Sequence, residues 1–196
     1  YLAAVVITLA VNVPRNDAIK GAGHPDRIGD LAAVRERIDR LLDPACGDGR
    51  FIAGHDNSVG IEQDIGAVRL AVAHAPRALV HEGDFFDWAS NTQERFDCAA
   101  GNPPFIRYQT FKGQTRDRAL MLCAGLGAHF TALTSSWAPF LVAAASLLKN
   151  GGRMAFVVPA EIAHATYAAP LLNYLVSRFA VVHVVAVREK LFPELS

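Results

Sequence analysis

A chain of 196 residues, 52% of them hydrophobic, is long enough for one domain with a proper core and too apolar to be disordered. Its 19 basic and 19 acidic side chains cancel, so no globally basic surface for nucleic acid is expected, although a local patch can exist on a neutral chain. The three cysteines (Cys46, Cys98, Cys123) lack CxxC spacing and the seven histidines are scattered, so neither a disulfide framework nor a metal site is expected, and a reducing, cytoplasmic setting is the default.

The opening run, "YLAAVVITLAVNVP", is apolar but too short to span a bilayer, and it has neither a basic leader nor a cleavage site, so no membrane partner is expected. Tyr1 and the abrupt tail "KLFPELS" read as the ends of a fragment of a longer chain. Residues 1–37 are read as a lead-in, a helix and then a polar loop through "RNDAIKGAGHPDR", and residues 38–193 as the core of a single, partial domain. In that core, short apolar runs alternate with helical stretches, which predicts βαβ units and a parallel sheet. The predicted strands are "RLLD" ending at Asp43, "SVGIE" at Glu62, "ALVHEGD" at Asp84, "FDCAAGN" at Asn102, "RMAFVVP" at Pro159 and "VVHVVAV" near Val187. Helices are predicted over 64–74, with Ile65, Val68 and Val72 as a core stripe, over 131–148, stopped by "KNGG", and over 168–178, with Leu171, Leu175 and Phe179 as a buried stripe. Residues 106–128, weakly periodic and carrying four basic side chains, read as a functional loop.

Ligands of an open parallel α/β sheet bind outside the carboxyl ends of the strands, and four successive strands here end in Asp43, Glu62, Asp84 and Asn102. One such residue is an ordinary solvated turn; four in register point to a site. In "DPACGDGRF", Gly47 and Gly49 follow a strand and precede a predicted helix, where glycine lets the backbone turn and approach a ligand. Glu62 follows Asp43 by about the spacing at which a carboxylate receives ribose hydroxyls. The full G-x-G-x-x-G is not met, because Ile52 stands at its last glycine. Acids at 43 and 48 would repel a pyrophosphate, so a cationic ligand such as S-adenosylmethionine fits better than a dinucleotide. Asp84 could then accept from an adenine amine and Phe85 pack on its ring; Phe85 and Phe86 read equally well as core.

The series "DPACGDGRF", "GIEQD", "GDFFDW" and "GNPPF" resembles the motifs of class I S-adenosylmethionine-dependent methyltransferases, and more narrowly those of N6-adenine DNA methyltransferases of restriction–modification systems. The likeness continues through "LLKNGGRMAFVVPAEI" and "YAAPLLNYLVSRF" to "EKLFPE". It implies an open, mostly parallel Rossmann-like sheet with helices on both faces, S-adenosylmethionine as cofactor and double-stranded DNA as partner. It implies that Asp43, Pro44, Ala45, Cys46, Gly47, Gly49, Phe51, Glu62, Asp84, Phe85 and Asn102 hold the cofactor. Asn102, Pro103, Pro104 and Phe105 would be catalytic: the Asn102 side-chain oxygen and the Pro103 carbonyl accept from the adenine N6 amine, and Phe105 stacks on the flipped-out base. Arg107, Tyr108, Lys112, Arg116 and Arg118 are candidates for DNA contact, a role that a solvated loop would mimic. The family's upstream cofactor motif is not visible, and its last antiparallel strand and target-recognition domain are expected past Ser196, with any restriction or specificity part elsewhere in the parent protein. Two rival readings remain open here: a protein glutamine N5-methyltransferase, since an amide nitrogen is delocalised too, and a catalytically silent cofactor-binding or DNA-binding subunit.

Overall fold

The computed structural model describes residues 4–10, 40–131, 133–163 and 168–187. The strands are β1 (Ala4–Ala10), β2 (Leu41–Asp43), β3 (Ser58–Glu62), β4 (Leu79–Glu82), β5 (Phe96–Gly101), β6 (Leu148–Val158) and β7 (Val181–Val187). The helices are α1 (Ile65–His74), α2 (Phe85–Asn91), α3 (Gly113–Gly125), α4 (Trp137–Ser146) and α5 (Ala168–Arg178). One sheet has the order β4-β3-β2-β5-β6-β1-β7. The ladders β3–β4, β2–β3, β2–β5 and β5–β6 are parallel, as continuous apolar runs between helices require. Among the described residues no helix is long and apolar enough to cross a membrane.

The start of the chain departs from the helix expected of it. Ala4–Ala10 is a strand, antiparallel to β6 (Val5 opposite Val158) and to β7 (Val6 opposite Val185). A short apolar run does not by itself distinguish strand from helix; the β-branched "VVIT" suits the strand. The sheet thus carries an antiparallel strand, β1, between β6 and β7. The polar loop expected at 15–27, the rest of the lead-in and the "EKLFPE" match lie outside the described residues.

Two element boundaries and one core stripe also differ. The helix expected over 131–148 is α4, and "KNGG" belongs to β6: β5 advances from Phe96 to Cys98 while β6 runs from Leu148 to Arg153, an irregularity that Gly151 (φ +80°) permits. Half of the expected loop 106–128 is α3, which buries Ala119 and Cys123 completely. The stripe on α1 is not core: Ile65 is 47% and Val72 52% exposed, and Ala71 is the buried residue. The reason is a close approach, since a Cβ at Gly49 (φ +87°) would lie 2.9 Å from Ala71 Cα, so α1 seats on the glycine loop through a small residue. The stripe on α5 is core as expected, with Leu171, Leu175 and Phe179 buried.

The main core forms around α4, whose residues Trp137–Ala145 are all buried. Phe140 meets Phe85 (5.3 Å between ring centroids) and Phe86 (4.7 Å, edge-on), which ties α4 to α2 directly under the crevice described next.

Candidate functional site

From β2 the chain goes to β3 on one side, while β5 lies on the other. A crevice therefore opens at the carboxyl ends of the strands, at the switch point of the sheet. A cleft of about 420 Å³ occupies it, walled by Pro44, Gly47, Glu62, Asp84, Phe85 and Asn102 among others. Four strand ends separated by up to 59 positions in sequence thus converge, because parallel strands present all their carboxyl ends to one side.

Glu62 holds the glycine loop in place. Its Oε2 accepts from Gly47 N (3.0 Å), and its Oε1 accepts from Gln63 N (2.8 Å) and Asp64 N (2.9 Å). Gly47 itself has φ +54°, a conformation that favours glycine. Pro44 and Ala45 also line the cleft. Cys46 does not: it is buried, its Sγ so close over Gly60 that a Cβ there would come within 2.7 Å, and its N donates to Ile61 O (3.0 Å). Burial, with Asp43 and Glu62 nearby, pushes the Cys46 thiol up to about 12, so it stays protonated. Gly49 faces α1, and Phe51 is 38% exposed away from the cleft. No helix follows this loop as expected; residues 50–57 pass through turns, and Gly54 (φ +82°) breaks what would be its first helical coil.

Asp43 lies beneath the cleft and is fully buried. Its Oδ1 accepts from Ala45 N (3.1 Å), while Oδ2 has no hydrogen-bond partner. Burial pushes its carboxyl up to about 7; the Ala45 hydrogen bond opposes the rise and the negative charge of Glu62 adds to it. Asp84 caps α2, its Oδ1 accepting from Asp87 N (2.9 Å), and still borders the cleft. Phe85 is buried in the core and also lines the cleft.

Asn102, the first residue past β5, borders the cleft, and its Oδ1 is buried without a hydrogen-bond partner. Pro103 is buried, Pro104 lines the cleft and Phe105 is 44% exposed on the outer side. Beyond them the chain turns back on itself, with Thr110 N and Phe111 N both donating to Arg107 O. The basic candidates come from different elements. Lys112 borders the cleft, Arg107 and Tyr108 sit on the exposed turn, and Arg116 and Arg118 lie on α3, where Arg118 pairs with Asp87 of α2 (3.7 Å).

Among the cleft residues that sequence reasoning missed are Phe140 and Ser136. Phe140 lines the cleft from α4. Ser136, fully buried, donates from Oγ to Pro104 O and accepts from Ile106 N (3.0 Å). "TSSW" before an apolar helix resembles an ordinary cap, yet the Ser136 side chain makes no cap hydrogen bond.

The architecture and the switch-point crevice are those of a Rossmann-like methyltransferase domain. A Listeria monocytogenes protein assigned to the class I S-adenosylmethionine-dependent methyltransferases superposes with a TM-score of 0.56 at 18% identity, over 80% of this chain and 54% of its own. The profile of the Eco57I restriction-modification methylase family matches residues 59–192, more than half of the chain, and the chain belongs to that family. Type II methyltransferase M.CvrRI of Paramecium bursaria Chlorella virus XZ-6E is 26% identical over 161 residues, which are 78% of this chain and 38% of the relative. The tRNA1(Val) (adenine(37)-N6)-methyltransferase of Actinobacillus succinogenes is 33% identical over 109 residues, 52% of this chain and 42% of the relative. The chain thus spans less than half the length of these curated relatives.

Proposed function

We propose that this chain carries the catalytic core of a DNA adenine methyltransferase, which transfers a methyl group from S-adenosylmethionine to N6 of an adenine flipped out of double-stranded DNA. The observation that carries the reading is Asn102 Oδ1, a buried acceptor without a partner at the rim of a switch-point cleft. Leaving such an acceptor unpaired is costly, which favours a ligand that donates to it. Family membership supports methylation within restriction–modification. The RNA relative, an adenine-N6 enzyme by name, supports the atom modified.

The residues of the crevice fit S-adenosylmethionine. Glu62 and Asp84 bring carboxylates to the cleft, suited to hydroxyl and amine donors and to a cation, and Gly47 leaves room beside them. Bound there, S-adenosylmethionine supplies an electrophilic methyl on its sulfonium. The chain's own part is to prepare the nucleophile. The lone pair of the N6 amine is delocalised into the ring, and acceptors at Asn102 Oδ1 and the Pro103 carbonyl draw its hydrogens out of plane and localise that pair. Adjacent prolines fix φ and remove two N–H donors beside these acceptors. Methyl transfer to the localised lone pair would leave the cofactor's sulfur as a neutral thioether. Asn102 is neutral and cannot keep the departing proton, which goes to water. The exposed Phe105 is open to stacking by the extruded base.

The test uses the full-length protein, unmethylated DNA and labelled S-adenosylmethionine, with digestion to nucleosides and mass spectrometry. N6-methyladenine in the DNA supports the reading. Label on protein glutamine or on RNA, or on nothing at all, overturns it.

A further inference from the structure

We infer that Ser136 is the positioning residue of the Asn102–Phe105 loop, holding it on the buried helix α4 so that Asn102 meets the amine in one fixed place. The inference rests on the adenine-methylation reading above. The loop cannot hold itself: Pro103 and Pro104 have no N–H, so an anchor must come from elsewhere in the fold. Ser136 supplies it three times over. Its Oγ–H donates to Pro104 O, its Oγ accepts from Ile106 N (3.0 Å), and its own backbone N donates to Ile106 O (2.9 Å).

These bonds bracket Phe105, and they come from the residue before a helix whose first nine residues are all buried. The anchor is therefore as rigid as the core. Ser136 stands at the N-cap position but has helical dihedrals (φ −58°, ψ −38°) and makes no side-chain cap bond, so its hydroxyl is committed to the loop instead. Its side chain is fully buried beside the cleft, where water cannot replace it without entering the site.

The experiment compares wild type, Ser136→Ala and Ser136→Thr in the full-length protein, below their melting temperatures. Ser136→Ala should lower kcat about 10- to 100-fold, the scale of a small misplacement of reacting groups, with cofactor Kd changed less than about twofold. It should also speed hydrogen exchange of the Ile106 amide by about tenfold or more, while α4 amides stay protected. Ser136→Thr, which keeps the hydroxyl, should restore kcat and protection together. Unchanged exchange at Ile106, unchanged kcat, or a loss confined to cofactor Kd overturns the assignment. A wild-type protein that methylates no DNA overturns the function reading instead, and the exchange of Ile106 then decides by itself whether Ser136 holds the loop.

Discussion

Gly101 closes so tightly on Asp43 that a Cβ at position 101 would lie 2.5 Å from Asp43 Oδ1. The contact joins the ends of β2 and β5 immediately before Asn102, so the last residue of one strand sets the level at which the next strand delivers the candidate catalytic side chain. Asp43 cannot swing aside, since it is fully buried and holds Ala45 N. Gly101→Ala should therefore destabilise the fold by about 1–3 kcal/mol, the usual scale of overpacking. Urea denaturation followed by circular dichroism measures this; a variant as stable as wild type would show that the two strands can part at no cost.

The same carboxyl makes stability depend on pH. Its folded value of about 7 stands above its ordinary value of 3.8, so between these pH values the folded state keeps a proton that the unfolded chain has lost. The sign follows: this contribution is complete below about pH 4, declines by roughly 1.4 kcal/mol per pH unit as pH rises towards 7, and is constant above. Asp43→Asn should flatten that slope. Parallel denaturation series for the two proteins between pH 5 and pH 8 check it, and identical slopes would contradict it.

Asn102→Ala should abolish methyl transfer, by on the order of 10³-fold or more, while cofactor affinity stays within about twofold. Transfer and binding are measured separately, by label incorporation and by calorimetry. Full activity in the variant would remove Asn102 from the mechanism.

Asp84 caps α2 and borders the cleft, and a single pair of substitutions separates the two. Asp84→Ala loses the cap on α2, about 1 kcal/mol, together with a carboxylate of the cleft. Asp84→Asn keeps the cap, because Asn serves as well as Asp there, but turns an amide NH2 where the second carboxylate oxygen was. Asp84→Asn should therefore melt like wild type and bind S-adenosylmethionine more weakly. Equal affinity by calorimetry would confine Asp84 to capping.

Much of this was legible in the chain because it rests on local chemistry. "SVGIE" reads as a strand from Ser58 to Glu62, and it is one; Leu171, Leu175 and Phe179 read as one buried face, and they are. The strand-end residues could be named because each marks the point where an apolar run stops. The stripe on α1 misled because hydrophobic spacing cannot reveal that Ala71, packed against Gly49, leaves Ile65 and Val72 outside. The "KNGG" of β6 misled because glycines after an apolar helix match a helix stop equally well.

The sequence by itself determined the parallel α/β class and placed Asp43, Glu62, Asp84 and Asn102 at or within two residues of the strand ends, since periodicity, glycine placement and proline chemistry act over a few residues. Only the tertiary structure decided that Ala4–Ala10 is the antiparallel strand between β6 and β7, that Asp43 sinks beneath the cleft while Glu62 and Asp84 border it, and that Ser136, 32 positions beyond Pro104, holds the loop. Those are matters of which distant backbone comes within hydrogen-bond reach. Packing settles that across the whole core, and no local pattern encodes it.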